Sequence, residues 1–552
     1  MAFRPHNVPQ LNKEHTQEPA LGTSPDWQPA SRALLRLGSR TAALMSRYEA
    51  VCVSIVALGY ALMELASAAR PLWFDELFTF QIARLPDLRD IFGAIPADGN
   101  PPLYYLLTRL SFNLLGETSF AARIPAILAF TTALLATYYF VRRRCGPVFG
   151  MFAMLALSCT YMCINYGSEA RPYALLAGFT GFTLLSWQAA TEATQHRTLP
   201  LIGVAVGIAG AIGSHHYGVI HVGVPLMFGE AVRLRKRGRF DLPLCIAGIA
   251  GLSALGVTLP FAFATHQIML KYVKASASFW AKPRMADLLS YGSFMCVWIL
   301  LVFVALLYLT NAAASNLSGA PGETAIAEMG PPAHEIAAAL GLALLFPIMV
   351  GFTWLTTGYY MDRYAISAAV GFAVLIGFAS SRLGRNRCQA TAVAALCTIL
   401  LAGRLAVTGA GELRAWRMTS ESSPETQDDS FLRTVPGNEP IVIASAMAYG
   451  EDYFYATPSL RERLHYLADR SYAVRQRDFL LELSLTADRA YVLSKVDDYR
   501  KFLSTYHRFY VYKVGMPDQE WIMNRLLSEG WSLKVISISG DTTLYLAQSP
   551  AG

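Results

Sequence analysis

Residues 120–165 read FAARIPAILAFTTALLATYYFVRRRCGPVFGMFAMLALSCTYMCIN, two apolar runs separated by three consecutive arginines. Each run is long enough to cross the roughly 30 Å hydrocarbon core of a bilayer as a helix. The whole chain has this character, since 54% of its 552 residues are hydrophobic, 15% are charged and the mean hydropathy is +0.34. Eleven such runs predict a polytopic α-helical membrane protein with about eleven transmembrane helices: 50–69, 120–141, 147–165, 170–190, 199–213, 217–233, 242–264, 291–310, 336–357, 364–381 and 390–408.

Clusters of basic residues predict the orientation of these helices. The clusters are Arg32, Arg36, Arg40 and Arg47, then Arg142 to Arg144, the run from Arg233 to Arg239, and Arg382, Arg385 and Arg387. All four fall on one side if the chain crosses eleven times and the short segment 101–116, which opens with two prolines, does not cross. By the positive-inside rule that side is the cytoplasm, so the N-terminus is predicted to be cytoplasmic.

The domain organisation follows from this topology. Residues 1–49 are predicted to be a cytosolic tail, 50–410 the membrane domain with a first outer loop at 70–118 that carries interfacial helices, and 311–335 a flexible cytosolic loop. From about residue 411 the composition becomes that of a soluble protein, with strand patterns at 440–445 and 508–514 and an amphipathic helix at 518–531. Residues 411–552 are therefore predicted to form a small α/β domain on the outer face, closed by a hairpin.

Two classes of protein are excluded by composition. The net charge of +7 comes from the short basic clusters between apolar runs, so topology explains it and nucleic-acid binding is set aside. The eight cysteines include no C-x-x-C pair and none follows Cys397, which excludes a disulfide framework and a thiol zinc cluster.

The stretch WFDELFTF, residues 73–80, places Asp75 and Glu76 directly after the first predicted span. The two carboxylates could cap a helix that begins there, where the helix dipole favours negative charge. Alternatively, because neighbours on a helix point about 100° apart, one could face a reacting hydroxyl while the other orients the loop or binds a metal. The motif alone leaves both interpretations open.

The predicted topology puts the other polar motifs on the same outer face. In SEARPY, Glu169 and Arg171 lie at the mouth of a helix, where Arg171 is either a snorkelling arginine or a phosphate ligand. In SHHYG, the residues His215 to Tyr217 contact a sugar or phosphate or pack at the interface, and no zinc-hydrolase pattern surrounds them. Arg363 in GYYMDRY would supply a second cation.

The order of these motifs resembles a known family. WFDE after the first span, NPPLYYLL at 100–107, AARIP at 121–125, SEARPYAL, HHYG and DRYAI are similar to motifs of polytopic GT-C glycosyltransferases, in the branch of bacterial relatives of protein O-mannosyltransferases and lipid A aminoarabinose transferases. The resemblance covers roughly residues 50–380. It implies an inverting hexosyl- or pentosyltransferase of the cell envelope, in the inner membrane, that uses a polyprenyl-phosphate-linked sugar as donor and a glycolipid, polysaccharide or protein as acceptor, surrounded by membrane lipids.

The resemblance also implies roles for single residues. Asp75 would be the general base on the acceptor hydroxyl, Glu76 the second acid of a catalytic pair that positions the loop, and Arg171 and Arg363 the cations that neutralise the lipid phosphate. The donor-binding set implied in this way is Asn100, Glu169, Arg171, Tyr173, His215, His216, Tyr217, Arg363 and Tyr364.

One position departs from the family pattern. Many relatives have His or Lys before the two prolines, where this chain has Asn100, which brings no charge. A divalent metal therefore remains open, and no cofactor other than the donor lipid is implied. A transporter or flippase for a lipid-linked or phosphorylated substrate is the alternative function, because it would also need an outer cavity that binds phosphate.

Overall fold

The computed structural model describes residues 28–193, 195–275, 281–288, 298–314, 330–421, 432–473, 495–515 and 521–550. The first 27 residues and most of the predicted loop 311–335 lie outside these ranges. The helices of the membrane domain are α1 (Gln28–Arg47), α2 (Glu49–Ser67), α3 (Phe74–Ala83), α4 (Leu88–Asp98), α5 (Leu103–Leu115), α6 (Ser119–Cys145), α7 (Pro147–Ser158), α8 (Tyr161–Tyr166), α9 (Tyr173–Glu192), α10 (Thr198–Ser214), α11 (Gly218–Arg237), α12 (Leu242–Leu252), α13 (Leu255–Ala275), α14 (Trp298–Ala314), α15 (Ala333–Ala343), α16 (Leu345–Leu355), α17 (Ala368–Ser380) and α18 (Arg387–Glu421).

Each predicted apolar run coincides with one helix or with two consecutive helices of this series. By length and composition, α2, α6 and α18 suit a membrane span, and the pairs α12–α13 and α15–α16 are spans bent by 46° and 50° if each pair counts as one. The helices α7, α10, α14 and α17 are apolar but shorter. The helical membrane fold is thus confirmed, and the count of eleven crossings stays a prediction.

The segment 101–116, predicted not to cross the membrane, contains only the 13-residue helix α5. At 1.5 Å per residue this helix is about 20 Å long, which is less than the thickness of the hydrocarbon core. It packs against α3 and α6. Whether this segment crosses the membrane stays a prediction, since α17, which falls on a predicted span, is equally short.

The helix α1 differs from the predicted cytosolic tail. Its buried residues recur every three or four positions, at Ser31, Leu35, Ala42 and Met45, and this face packs against α18 and α14. Gly38 lies on the same face, where an added Cβ would come within 2.4 Å of the Ala392 carbonyl oxygen. Residues 28–47 therefore belong to the folded membrane domain, and α18 likewise extends beyond the predicted domain end at 410.

The helices α6 and α9 meet at the centre of the membrane domain. A Cβ added to Gly178 of α9 would lie 2.5 Å from the carbonyl oxygen of Ala129 in α6. Phe130 and Tyr138 of α6 are fully buried in the surrounding core. The two helices thus approach so closely that only glycine fits at this position.

The predicted α/β domain follows α18. Its strands are β1 (Ile441–Ile443), β2 (Leu464–Ala468), β3 (Val496–Asp498), β4 (Arg508–Lys513), β5 (Ser532–Ser539) and β6 (Thr542–Gln548), and its helices are α19 (Ala446–Tyr455), α20 (Pro458–Arg461), α21 (Arg470–Ala473), α22 (Tyr499–Thr505) and α23 (Trp521–Ser528). The strand order is β3-β2-β1-β4-β6-β5, and the first four strands are parallel. The hairpin β5–β6 closes the sheet in antiparallel register, as its sequence predicts.

The two domains share α3. Leu77 and Phe80 pack in the core of the membrane domain, whereas Phe74 and Phe78 pack in the core of the C-terminal domain. The helix α3 is therefore held from both sides, and the residues around Asp75 pack against both domains.

The substitution Gly178→Ala tests the close helix contact. We expect it to lower the apparent melting temperature of the detergent-solubilised protein, because the added methyl group must displace backbone at a cost of about 1–3 kcal/mol. Gly223→Ala in α11 is the matched control, since a Cβ there meets no atom within 4 Å, and helix propensity favours alanine. Equal melting temperatures for the two variants would contradict the packing described here.

Candidate active site

Glu76 anchors the start of α3 through a buried ion pair. Arg123 of α6 donates from Nε to Glu76 Oε1 at 2.8 Å and from Nη2 to Oε2, and neither side chain has exposed area. The Glu76 carboxylate also accepts the backbone N–H of Trp73 at 3.2 Å and of Ala170 at 2.7 Å. The remaining N–H groups of Arg123 donate to the carbonyl oxygens of Ala68, Arg70 and Pro71. This clamp joins the α2–α3 loop, α6 and the segment before α9.

The clamp corrects the predicted role of Glu76 as a catalytic acid. Both carboxylate oxygens are occupied by Arg123 and by backbone N–H groups, and the side chain faces the protein interior. The hydrogen bond that its carboxylate accepts from the backbone N–H of Trp73 is half of a capping arrangement at the first turn of α3. Glu76 therefore lies outside the cavity with both oxygens held by protein groups, and its role in positioning the loop stays a prediction.

Asp75, one residue earlier, faces the opposite way. Arg363 donates from Nη2 to Asp75 Oδ2 at 3.1 Å, and the Asp75 side chain remains 22% exposed. Among the described residues, Oδ1 of Asp75 has no hydrogen-bond partner. The Arg363 guanidinium lies over the rings of Trp73 and Tyr173, at 5.8 and 5.1 Å from their centroids. The carboxylate is thus held on one oxygen and open on the other.

Arg171 forms a second ion pair beside the first. Its Nη1 donates to both oxygens of Asp98, at 2.8 and 2.6 Å, and to the backbone oxygen of Asp75 at 3.0 Å. The Tyr105 hydroxyl donates to Asp98 Oδ2 at 2.5 Å. Burial disfavours the charged guanidinium, but the negative charges of Asp98 and Asp75 outweigh it and hold the pKa of Arg171 well above its ordinary value. Both arginines thus contact the same residue, Asp75.

Asp98 was not predicted from the sequence. It lies three positions before the Pro-Pro pair, in DGNPP, and this acidic residue next to a polar turn was the available signal. Gly99 between them has a left-handed φ of 82°, and a Cβ there would lie 3.0 Å from Thr265. The left-handed conformation therefore favours glycine, which turns the chain so that Asp98 reaches Arg171 while Asn100 lines the cavity.

The short 3₁₀ helix Asp362–Ala365 carries Arg363, and His221 of α11 holds this turn in place. The His221 ring nitrogens lie 2.7 Å from the Ser367 hydroxyl and 2.8 Å from the Tyr364 backbone oxygen. His221 is fully buried. It therefore fixes the turn without reaching the cavity.

The two histidines of SHHYG offer hydrogen bonds rather than charge. The backbone N–H of Tyr217 donates to His215 Nδ1 at 3.1 Å, and His216 Nε2 donates to the Gly99 carbonyl oxygen at 2.9 Å. Burial lowers the pKa of His216 to about 4 and that of His215 well below its ordinary value. His216 Nδ1 is then a buried acceptor, without a partner in the part of the chain that the structure describes.

These groups surround one cavity of about 890 Å³ that lies between helices of the membrane domain and the C-terminal domain. All but two of the predicted site residues line it: Asp75, Asn100, Arg171, Tyr173, His215, His216, Tyr217, Arg363 and Tyr364. Residues not predicted also line it: Trp73, Phe74, Asp98, Thr265, Phe352, Thr357, Tyr359 and Met447. Sequence reasoning thus found most polar groups of the cavity but few of its apolar walls.

Glu76 and Glu169 are the two exceptions. Glu169, predicted to bind the donor, is buried behind the cavity wall, and its Oε1 has no hydrogen-bond partner among the described residues. The pKa of Glu169 is raised to about 7, mainly by burial; the charges of Glu76 and Asp75 add to this rise, and those of Arg363 and Arg171 oppose it. The charged residues of the site therefore influence the protonation of Glu169, although Glu169 does not line the cavity.

The residues at 98–100 do not fit a metal ion. Both oxygens of Asp98 are occupied by Arg171, one of them also by Tyr105, Gly99 has no side chain and Asn100 is neutral. Within the described ranges, no group of three His, Cys, Asp or Glu side chains could hold a metal ion. No chemical step below is assigned to a metal.

Comparison with known proteins agrees with this fold. Residues 99–262 match the family model of the dolichyl-phosphate-mannose-protein mannosyltransferases, which is less than half of the chain. The fold is that of the GT-C glycosyltransferases, as the order of motifs predicted. None of the curated proteins compared with the sequence matches it.

Two solved structures carry the likeness of fold. The crystal structure of ArnT from Cupriavidus metallidurans in the apo state has 13% sequence identity and a TM-score of 0.55, covering 91% of this chain and 98% of that protein. The same protein bound to undecaprenyl phosphate has 14% identity and a TM-score of 0.50, covering 90% and 97%. At this level of sequence identity the likeness establishes the fold alone, and it extends over both the membrane domain and the C-terminal domain.

Removal of one partner tests the buried clamp. We expect Arg123→Met to destabilise the protein by about 3–5 kcal/mol, because it leaves the Glu76 charge buried and unpaired. The matched control is Arg84→Met, which breaks the exposed pair of Arg84 and Glu117 at 3.8 Å and should cost no more than about 1 kcal/mol. Apparent melting temperatures compare the two, and a similar loss in both variants would contradict the anchoring role.

The pH dependence of stability tests the position of Glu169. Its pKa of about 7 in the folded protein lies above the ordinary 4.5, so folding favours the protonated acid. The resulting stability is fully present below about pH 4.5 and is lost as pH rises through about 7. We expect the wild-type melting temperature to fall relative to Glu169→Gln between pH 5.5 and 8.5, with Glu117→Gln behaving as wild type. Parallel pH profiles for all three proteins would contradict the buried, high-pKa acid.

Proposed function

We propose that this protein is a membrane glycosyltransferase that moves a sugar from a polyprenyl-phosphate carrier to an acceptor hydroxyl. The main support for the proposal is that two arginines contact Asp75, whose carboxylate has one oxygen left to accept a proton. Arg363 pairs with the Asp75 side chain and Arg171 with its backbone oxygen, within one cavity. A proton acceptor beside two cations suits displacement of a phosphate leaving group at an anomeric carbon.

The donor class follows from the cations and from the proteins that resemble this chain. The matching family model describes enzymes named for dolichyl-phosphate mannose, and the similar ArnT fold binds undecaprenyl phosphate. Both are lipid phosphates. Guanidinium groups pair well with phosphate oxygens because several N–H donors lie in one plane. A long-chain polyprenyl phosphate linked to a sugar is therefore the donor class that we assign.

Both arginines have donors left for a phosphate. Each guanidinium carries five N–H groups, and the ion pairs with Asp98 and Asp75 use Nη1 of Arg171 and Nη2 of Arg363. Nε of each arginine lacks a partner among the described residues. The carboxylates thus hold the guanidinium planes in place before the donor binds, which lowers the entropy lost on binding.

The transfer step needs only these residues, the donor and the acceptor. The acceptor oxygen attacks the anomeric carbon while its proton passes to Asp75 Oδ1, and the bond between that carbon and the phosphate oxygen breaks. The electron pair of this bond remains on the lipid phosphate, whose added charge Arg171 and Arg363 neutralise. A phosphate is weakly basic, so no acid needs to protonate it. Attack from the face opposite the leaving group inverts the anomeric carbon.

The neutral histidines suit the sugar of the donor. His216 Nδ1 can accept a hydrogen bond from a sugar hydroxyl, and the rings of Tyr173, Tyr217 and Tyr364 offer apolar faces beside it. With the orientation indicated by the basic clusters, the cavity opens on the outer face of the inner membrane. The acceptor would be a glycolipid, a polysaccharide or a protein presented at that face.

The substitution Asp75→Asn tests the assigned base. We expect transfer from polyprenyl-phosphate sugars to fall by about 10²–10⁴-fold, because the amide cannot take the proton, while binding of polyprenyl phosphate stays within about twofold. The assay uses purified protein in nanodiscs, a panel of such donors, and lipid binding measured separately by native mass spectrometry. Asp87→Asn, an exposed aspartate of the same outer loop, is the matched control.

Two results of this experiment would overturn the proposal. Transfer that survives in Asp75→Asn at the wild-type rate would remove the base. Movement of a lipid-linked substrate across the bilayer, with no transfer by the wild-type protein on any donor, would favour the transporter or flippase.

A further inference from the structure

The C-terminal domain binds the backbone that carries Asp75. Three successive N–H groups precede Asp75, and each donates to a side chain: Leu72 to Tyr455 Oη at 2.6 Å, Trp73 to Glu76 Oε2 at 3.2 Å and Phe74 to Glu451 Oε1 at 2.9 Å. Free N–H groups are usual at the start of a helix, where side chains or water satisfy them. Here two of the three acceptors come from another domain.

Glu451 and Tyr455 lie four residues apart on α19, so both project from one face of that helix toward the start of α3. The Glu451 carboxylate also lies at the positive end of the α3 dipole, where negative charge is favourable. The two residues therefore act as a cap supplied from the C-terminal domain.

Aromatic packing supports the same contact. Phe74 and Phe78, on either side of Asp75, are buried in the core of the C-terminal domain. The Phe80 ring of α3 meets the Phe454 ring of α19 edge to face, with 5.4 Å between centroids. The apolar residues around Asp75 are thus packed in the cores of both domains.

The helix α19 also forms part of the cavity wall. Met447, in its first turn, lines the same cavity as Asp75 and Arg363. One helix of the C-terminal domain therefore both borders the substrate space and holds the catalytic turn.

We propose that the C-terminal domain is part of the catalytic unit, and that Glu451 and Tyr455 are positioning residues that fix the orientation of Asp75. This inference rests on the proposed function, in which Asp75 takes the proton of the acceptor. The hydrogen bonds of α19 hold the backbone at residues 72–74, and the side chain that follows is then aimed into the cavity. Loss of these acceptors frees the turn while the arginines that bind the donor keep their own partners.

The test compares variants of the full-length protein in nanodiscs. Glu451→Met removes the acceptor, Tyr455→Phe removes the hydroxyl, and Glu451→Gln keeps an oxygen that can accept the Phe74 N–H. Matched controls from the same domain are Glu462→Met and Tyr506→Phe, two exposed residues. We measure kcat, the KM for a polyprenyl-phosphate sugar, and hydrogen exchange of the backbone amides at 72–76.

We expect Glu451→Met to lower kcat by about tenfold or more, as for a displaced catalytic group, with KM for the donor within about twofold. Exchange at 72–76 should become faster in Glu451→Met and Tyr455→Phe, and Glu451→Gln should recover most of the activity. Both controls should match wild type in all three measurements.

The outcomes separate this inference from the proposed function. Faster exchange with an unchanged kcat would overturn the positioning role. Unchanged exchange in Glu451→Met would show that the hydrogen bonds from α19 do not hold the backbone at 72–74, and would overturn the inference. A KM that rises together with an unchanged kcat would assign α19 to donor binding instead and also overturn it. If the wild-type protein transfers no sugar, the proposed function fails. The positioning role then fails with it, even if the exchange data show that α19 holds the backbone at 72–74.

Discussion

The buried ion pair of Glu76 and Arg123 is the interaction on which the site depends. It is inaccessible to water, and each oxygen and most N–H groups of the pair have partners. An unpaired charge at this depth would be costly, so the loop between α2 and α3 has one arrangement in which both charges are satisfied. That arrangement turns Asp75 outward, because adjacent residues on a helix point in different directions. The position of Asp75 is therefore a consequence of where Glu76 is buried.

A second layer of paired charges sets the chemistry of the cavity. Arg363 and Arg171 are each matched by a carboxylate, Asp75 and Asp98, while the histidines stay neutral. Two cations and two anions in one cavity leave little net charge before the donor binds. In the proposed reaction, a lipid phosphate would meet guanidinium groups that are already oriented by Asp75 and Asp98, and Asp98 is the charged residue that the loop 98–100 contributes to this arrangement. The Asn100 position, where the family pattern has a charged or basic residue, is consistent with this different division of roles.

Local patterns in the sequence predicted the helices, the C-terminal sheet and most polar residues of the cavity, because hydropathy and turn residues act over short distances. The sequence predicts a tail where the structure has helix α1, because the polar composition of this segment hides the spacing of Ser31, Leu35, Ala42 and Met45. The sequence could not decide which of Asp75 and Glu76 faces inward, since the deciding partner, Arg123, is 47 residues away. Asp98 and the contact of Glu451 with Phe74, across 377 residues, depend on tertiary packing in the same way.

In the proposed reaction, the cavity holds a polyprenyl-phosphate sugar with its anomeric carbon next to Asp75. The most direct measurement is an electron cryomicroscopy structure of the protein with an analogue of that donor whose sugar cannot be transferred. We expect phosphate oxygens within hydrogen-bonding distance of Arg171 and Arg363, and the anomeric carbon on the side of Asp75 Oδ1. A phosphate bound away from both arginines, or a sugar separated from Asp75 by protein, would contradict it.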